Sequence, residues 1–336
     1  MSPLLGLVLP LALWPCPNGM GVPTPAGAEQ AGGAAAPRPA AITALVIAPD
    51  APLLFAGAGD GTLRRGELGP GEPAPGPVGK LPGAIVGLAA GPGGLAVAVS
   101  DAGHLGLLEA GAAEPRRIGR HEAGALALAL VPADPEHGQP AARAVVAGCD
   151  GKLSVWDLAR GEQTALLSGH EGPVVGLAVA PDRLWSAGWD GTLRSWKLNG
   201  TATKGTKLAL GTRELAALSA APGGERLLVA GFDGALAWLD PASKKPAPRP
   251  VGARPNAEWI RALAFSPRGK RAVAVAHAES LLLLLDPERG LVASLTEAKT
   301  PCTAAFTPDG RELIVGRFDG TFGRVELPPE GRDEQP

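Results

Sequence analysis

The chain has 336 residues, and its 31 Lys and Arg against 33 Asp and Glu give a formal net charge of -2. This near balance argues against a nucleic-acid binder or an acidic-membrane binder, because both need an excess of basic side chains. The three cysteines, Cys16, Cys149 and Cys302, are widely spaced and join no Cys/His cluster, which argues against a zinc site, a redox pair and a disulfide framework.

The first predicted element is an apolar leader over residues 1–28. Its apolar run, residues 3–14, is too short to cross a bilayer as a helix, so no transmembrane segment is predicted. The run resembles the hydrophobic region of a secretory signal, although no Lys or Arg precedes it. We predict a bacterial protein exported to the periplasm or cell envelope behind a signal peptide. The alternative is a cytoplasmic protein whose leader is not a signal peptide.

A short motif recurs along the rest of the chain, in which two apolar runs flank a polar turn. Its clearest copy is SAGWDGTLRSWKL, residues 186–198, with Asp-Gly at the turn. Successive turns are 40 to 49 residues apart, and seven copies near one period indicate a repeat architecture. The seven turn residues are Asp60, Asp101, Asp150, Asp190, Asp233, Glu279 and Asp319.

Each copy also contains an upstream run of small apolar residues that ends at Pro, such as VVGLAVAP from Val174. A short apolar run bounded by Pro and Gly is typical of a strand that is buried on both faces. The Asp-Gly turn joins the next two strands, because Gly adopts positive φ without steric cost. A fourth strand completes an antiparallel sheet that cannot bury both faces alone. We therefore predict an all-β fold, a seven-bladed β-propeller of four-stranded antiparallel blades over residues 29–327.

The fourth copy, SGHEGPVVGLAVAPDRLWSAGWDGTLRSWKL, resembles the WD-repeat β-propeller family, and the resemblance extends over residues 41–327. In that family a His, a Ser, an Asp and a Trp form a chain of hydrogen bonds. The matching positions here are His170, Ser186, Asp190 and Trp196. Trp only donates, Asp only accepts, and Ser and neutral His do both, so all four groups can be satisfied. We interpret them as a structural tetrad rather than a catalytic pair.

Other copies depart from the family pattern. The third has Val146 where the tetrad Ser is expected, and the fifth has Leu239 where the Trp is expected. The second has an extra residue after Asp101, and the sixth has Glu279 in place of Asp. Only the fourth blade is therefore expected to hold a complete network.

The resemblance also implies that the two ends of the chain pair to close the ring. Residues 328–336, PPEGRDEQP, form a poor strand and are predicted to be a disordered tail. We therefore predict that residues near 34–41 supply the outermost strand of the last blade, because closure removes exposed sheet edges.

The face that carries the Asp turns is the predicted partner-binding face. Trp189, Phe232 and Phe318 each precede a turn Asp, and Trp259 and Arg261 flank the start of a first strand. Members of the resembled family bind partners through such positions, and aromatic residues and Arg are enriched in binding hot spots. The alternative is that these rings only wedge between blades.

These observations predict a non-enzymatic protein–protein interaction scaffold, monomeric, with no cofactor, no metal and no catalytic residue. The first strands are nearly all Ala, Val, Leu and Gly, with Thr43 and Arg261 as exceptions. The alternative is a propeller enzyme or small-ligand binder that uses the central channel. The basic, Pro-rich residues 241–256 are interpreted as a solvated linker loop. Alternatively, they recruit an acidic or aromatic-grooved partner.

Overall fold

The computed structural model describes residues 40–133, 142–180, 183–197, 205–209, 214–243, 247–251, 260–276 and 280–329. The predicted leader, residues 34–39 of the predicted closing strand, and residues 330–336 of the predicted tail lie outside these ranges. In the described ranges no helix is long and apolar enough to cross a membrane. One short 3₁₀ turn occurs there, at Pro92–Gly94.

The described residues form 27 strands in seven separate antiparallel sheets, which confirms the predicted all-β seven-bladed propeller. Blades 1 to 3 contain β1 Ile42–Ile47, β2 Leu53–Ala58, β3 Thr62–Glu67, β4 Gly76–Lys80, β5 Ile85–Ala90, β6 Ala96–Ser100, β7 His104–Leu108, β8 Arg116–Arg120, β9 Ala125–Val131, β10 Arg143–Gly148, β11 Lys152–Asp157 and β12 Glu162–Ser168.

Blades 4 to 7 continue in the same order, and each strand pairs with the one that follows it in its blade. They contain β13 Val174–Val179, β14 Arg183–Gly188, β15 Thr192–Lys197, β16 Thr206–Ala209, β17 Leu215–Ala220, β18 Leu227–Gly231, β19 Leu236–Leu239, β20 Arg249–Pro250, β21 Ile260–Phe265, β22 Ala272–Ala276, β23 Leu281–Asp286, β24 Gly290–Thr296, β25 Pro301–Phe306, β26 Glu312–Arg317 and β27 Phe322–Glu326.

The ring is closed through its first strands. Each first strand contacts the first strands of both neighbouring blades, and β1 contacts β25 of the seventh blade. First strands such as β1, β5 and β21 are buried along their whole length, whereas the outer strands β4, β8 and β12 are mostly exposed. The small apolar composition of the first strands therefore reflects their crowding near the axis.

The Asp-Gly turns have a common geometry. Gly191 has φ 71°, in the left-handed region that the turn requires. The Asp190 carboxylate accepts a hydrogen bond from the backbone N–H two residues on, and the same contact recurs at the turns of blades 1, 3, 5 and 7. In blade 2 the extra residue shifts this contact, so that Asp101 accepts from the N–H of Ala102 instead.

The seventh blade has three strands among the described residues. Ala40 and Ala41 are described and are not in a strand, although the Ala41 carbonyl accepts from the Gly59 N–H at 2.9 Å. The closing strand near 34–41 stays a prediction.

The structure describes part of two segments that were predicted to be irregular, the C-terminal tail and the linker loop 241–256. Pro328 belongs to the predicted tail, yet its carbonyl accepts a 2.6 Å hydrogen bond from Arg271. The segment 241–256 is not wholly a loop, because Arg249 and Pro250 pair with Trp238 and Ala237 as the outer strand of blade 5.

Candidate functional site

The four residues of the fourth-blade tetrad lie in one line of hydrogen bonds. The Trp196 indole N–H donates to the Ser186 hydroxyl at 2.9 Å, and Ser186 Oγ lies 2.8 Å from His170 Nε2. His170 Nδ1 lies 3.0 Å from the Asp190 carboxylate. Asp190 also accepts from Thr192 and from the backbone N–H of Glu171. The line ties the loop before β13 to the turn after β14.

Burial and hydrogen bonding set the ionisation of this network. Burial lowers the pKa of His170 despite the opposing effect of Asp190, and the positive charges of Arg194 and Lys207 add to the lowering. Burial also opposes ionisation of Asp190, but hydrogen bonds from His170, Thr192 and Glu171 outweigh it and lower the pKa of Asp190. The pair is therefore a neutral imidazole and a carboxylate at neutral pH.

The third blade holds a second complete network, so the expectation that only the fourth blade is networked is wrong. His121 contacts Asp150 at 3.2 Å and Ser154 Oγ at 2.9 Å, and the Trp156 indole donates to the same oxygen at 2.8 Å. Ser154 lies on β11, directly opposite Val146 on β10. The hydroxyl has thus moved across the ladder to the neighbouring strand, where its side chain still points to the same face.

Trp189 and Phe232 come together on the face of the Asp turns. Their rings meet edge to face with centroids 5.7 Å apart. Trp189 also packs against a cluster of Leu126, Cys149 and Val175. The ring therefore wedges between blades 3 and 4, and it also contacts blade 5.

Phe318 and Arg261 form a second contact on the same face, across blades 6 and 7. The Arg261 guanidinium lies 4.4 Å from the centre of the Phe318 ring. Phe318 is 41% exposed, whereas Arg261 is 4% exposed. Burial lowers the pKa of Arg261 to about 10, which leaves it charged at neutral pH. Trp259, the fifth predicted residue, lies outside the described residues.

Sequence reasoning missed why Arg261 is buried. The pairing of first and second strands skips one residue at the start of every first strand, which makes a β-bulge in each blade. We call these seven residues the bulge ring, and all are buried: Thr43, Val86, Leu126, Val175, Ala216, Arg261 and Cys302.

The bulge ring divides into an apolar and a polar arc. Blades 2 to 5 supply Val, Leu, Val and Ala, whereas blades 6, 7 and 1 supply Arg261, Cys302 and Thr43. Beside the polar arc two ion pairs join blades 6 and 7: Arg317 with Glu297 at 2.8 Å, and Lys299 with Asp319 at 2.7 Å. The Trp189–Phe232 pair lies over the apolar arc, because Trp189 packs against Leu126 and Val175. Phe318 lies over the polar arc, because it contacts Arg261.

No group of three or more His, Cys, Asp or Glu side chains suited to a metal ion occurs in the part of the chain that the structure describes. Burial raises the pKa of the Cys302 thiol to about 12, so this thiol is not an activated nucleophile.

Comparisons with known proteins agree with this geometry. The family model "WD domain, G-beta repeat" matches residues 161–197. The crystal structure of the WD40 β-propeller domain of Doa1 superposes with a TM-score of 0.71 at 14% identity, and the match covers 89% of this chain and 97% of that one. At this identity the likeness shows the fold alone.

Two curated relatives are called periodic tryptophan protein 2 homolog. The mouse protein is 36% identical over 92 residues, 27% of this chain and 10% of its own length. The Dictyostelium discoideum protein is 25% identical over 192 residues, 55% of this chain and 20% of its own length. The matched part of the chain thus spans a fifth or less of these relatives.

Both relatives are eukaryotic, so the prediction of a bacterial protein exported behind a signal peptide is wrong. The apolar run on which it was based lacks the basic residues that make such a run specific for export. Fold and family match lead to one conclusion: the chain is a seven-bladed β-propeller, and its residues 161–197 match the WD-repeat family model.

Proposed function

We propose that the protein is a non-enzymatic interaction scaffold that binds a protein partner on the face of its Asp turns. The observation that carries the proposal is the set of aromatic rings on that face: Trp189 against Phe232, and Phe318, which is 41% exposed. Trp and Arg are enriched in binding hot spots, and the cation–π contact with Arg261 holds the Phe318 ring in place on this face.

A closed ring suits this role. Its face is held by seven blades, so little conformational freedom is lost when a partner docks. The Trp189–Phe232 pair lies over the apolar arc of the bulge ring, and Phe318 and two ion pairs lie beside the polar arc. We therefore expect the partner's contact surface to have an apolar part over the apolar arc and a polar part over the polar arc.

The test is affinity capture with the full chain and two variants. The face variant carries Trp189→Ala, Phe232→Ala and Phe318→Ala. The control variant carries Leu166→Ala and Val292→Ala, since these side chains are as exposed as Phe318, at 41%, but lie on outer strands. We expect a stoichiometric partner of the wild type to be lost from the face variant and kept by the control variant.

Equal capture by all three proteins would reject the face. Circular dichroism and thermal melting of each variant show whether a loss of capture reflects unfolding. A substrate turned over by the wild type and not by a Thr43→Ala variant would instead support the channel-based alternative.

A further inference from the structure

A buried cation in the fourth blade is left without a partner. Arg194, on β15, is 8% exposed, and its Nε has no hydrogen-bond partner. Within the described ranges no hydrogen bond or ion pair reaches its guanidinium from any other residue. An unpaired buried N–H group is costly. Because Nη1 and Nη2 of Arg194 have no partner among the described residues and are not fully buried, an external ligand can reach the guanidinium.

A second cation lies directly beside it. Lys207, on the outer strand β16, is the cross-strand partner of Arg194, so both side chains point to the same face of the blade. Directly opposed residues have Cβ atoms about 5 Å apart, and like charges at directly opposed positions destabilise a sheet. Both cations also act on the nearby His170, whose pKa they help to lower.

Among the described residues no carboxylate forms an ion pair with Arg194 or Lys207, and the Asp190 carboxylate is bound elsewhere. Asp190 accepts hydrogen bonds from His170, from the side chain and backbone of Thr192, and from the backbone N–H of Glu171. Asp190 is thus held by the tetrad and by its own turn, and it forms no ion pair with Arg194 or Lys207.

The guanidinium packs closely against Gly169 on one side. A Cβ atom on Gly169 would lie 2.9 Å from Arg194 Nη1 and 3.3 Å from the Trp196 ring. The guanidinium thus lies close to the Gly169 backbone, which follows the end of β12, and near the edge of the Trp196 ring.

We propose that Arg194 and Lys207 form a binding site for a phosphate group at the outer part of blade 4. The guanidinium offers two parallel N–H donors and the ammonium adds a mobile one, which together match the oxygens of a tetrahedral dianion. The group is either inorganic phosphate or a phosphoryl group on a ligand. This site is separate from the partner-binding face and does not depend on it.

The test titrates inorganic phosphate into the full chain at constant ionic strength and follows the melting temperature and the Trp fluorescence. We expect a saturable stabilisation of the wild type. Lys207→Ala, a change at an exposed position on an outer strand, weakens the apparent affinity about tenfold, because one charge-assisted contact is lost. Arg194→Met abolishes the effect.

Arg64→Met is the matched control. Arg64 occupies the same repeat position in blade 1, but its cross-strand partner is Pro77 rather than Lys. This variant should bind phosphate as the wild type does. A parallel titration with O-phosphoserine distinguishes the sources: tighter binding than inorganic phosphate favours a phosphoryl group on a ligand, and equal or weaker binding favours the free ion.

No saturable response in the wild type, or an unchanged affinity in Lys207→Ala, would overturn the site. Because Lys207→Ala leaves the buried core intact, the test stands even if Arg194→Met fails to fold.

Discussion

At the scale of single residues, the two tetrads show how a hydrogen-bond network survives a changed sequence. Blade 4 places its hydroxyl at Ser186 on the second strand, opposite Arg194. Blade 3 places it at Ser154 on the third strand, opposite Val146. In both blades the oxygen lies between a His nitrogen and a Trp N–H. The network thus requires a hydroxyl at one place in space and not at one place in the sequence.

This equivalence predicts a rescue. Ser154→Ala leaves His121 and the Trp156 indole without their shared partner, so we expect a loss of about 1–3 kcal/mol in the free energy of unfolding. Adding Val146→Ser should restore much of it, because that position faces the same side. Denaturant unfolding of the single and double variants measures both. A double variant no more stable than the single one would contradict the equivalence.

The buried His–Asp pair predicts that acid weakens the fold. The pKa of His170 is lowered from 6.5, so its stabilising contribution is complete above pH 6.5 and is lost as the pH falls below it, when the unfolded chain binds a proton first. The lowered pKa of Asp190 adds a second loss below pH 3.8.

We expect the free energy of unfolding to fall between pH 7 and pH 5 in the wild type. The fall should be smaller in His170→Gln, which has no imidazole to protonate. Identical pH profiles for the two proteins would show that the pair does not govern this range.

At the scale of elements, contacts between neighbouring first strands depend on small residues. A Cβ atom on Gly176 of β13 would lie 2.8 Å from the Leu218 Cβ and 3.0 Å from the Leu218 N of β17. The backbone of blade 5 therefore fits against blade 4 only because residue 176 is Gly.

The outer strands differ from the first strands: β4, β8, β12 and β24 each contain a β-bulge, which protects an otherwise open sheet edge from pairing with another chain.

Gly176→Ala is accordingly expected to cost about 1–3 kcal/mol, because the added methyl overpacks the contact between blades 4 and 5. Gly76→Ala on the exposed β4 is the control, since nothing lies within 4 Å of a Cβ atom there. Chemical denaturation compares the two. Equal effects would mean that the blades shift apart without strain.

At the scale of the whole molecule, stability depends on how the last blade ends. Its three described strands leave β27 as the edge, and Arg324 of β27 donates to the carbonyls of Gly69 and Gly71 in blade 1. This contact, with that of β1 against β25, already joins the two ends of the ring.

Removal of residues 1–41 should still lower the melting temperature, because we predict that the segment near 34–41 covers the β27 edge. A loss of about 2 kcal/mol corresponds to roughly 3 °C in a domain of about 300 residues. Removal of residues 1–28 alone serves as the control and should have a smaller effect. Equal melting temperatures for the two truncated proteins would contradict the prediction that residues near 34–41 form a closing strand.

The sequence by itself determined the number of blades, the order of their strands and the fourth-blade tetrad partners. These follow from local rules: Pro ends a strand, Asp-Gly makes the turn, and the same unit recurs along the chain. Only the tertiary structure decided that Ser154 replaces the missing Ser, that Arg261 is buried under Phe318, and that Arg194 faces Lys207. Strand register and the packing of one blade on the next set these contacts, and both depend on residues that are distant in the chain.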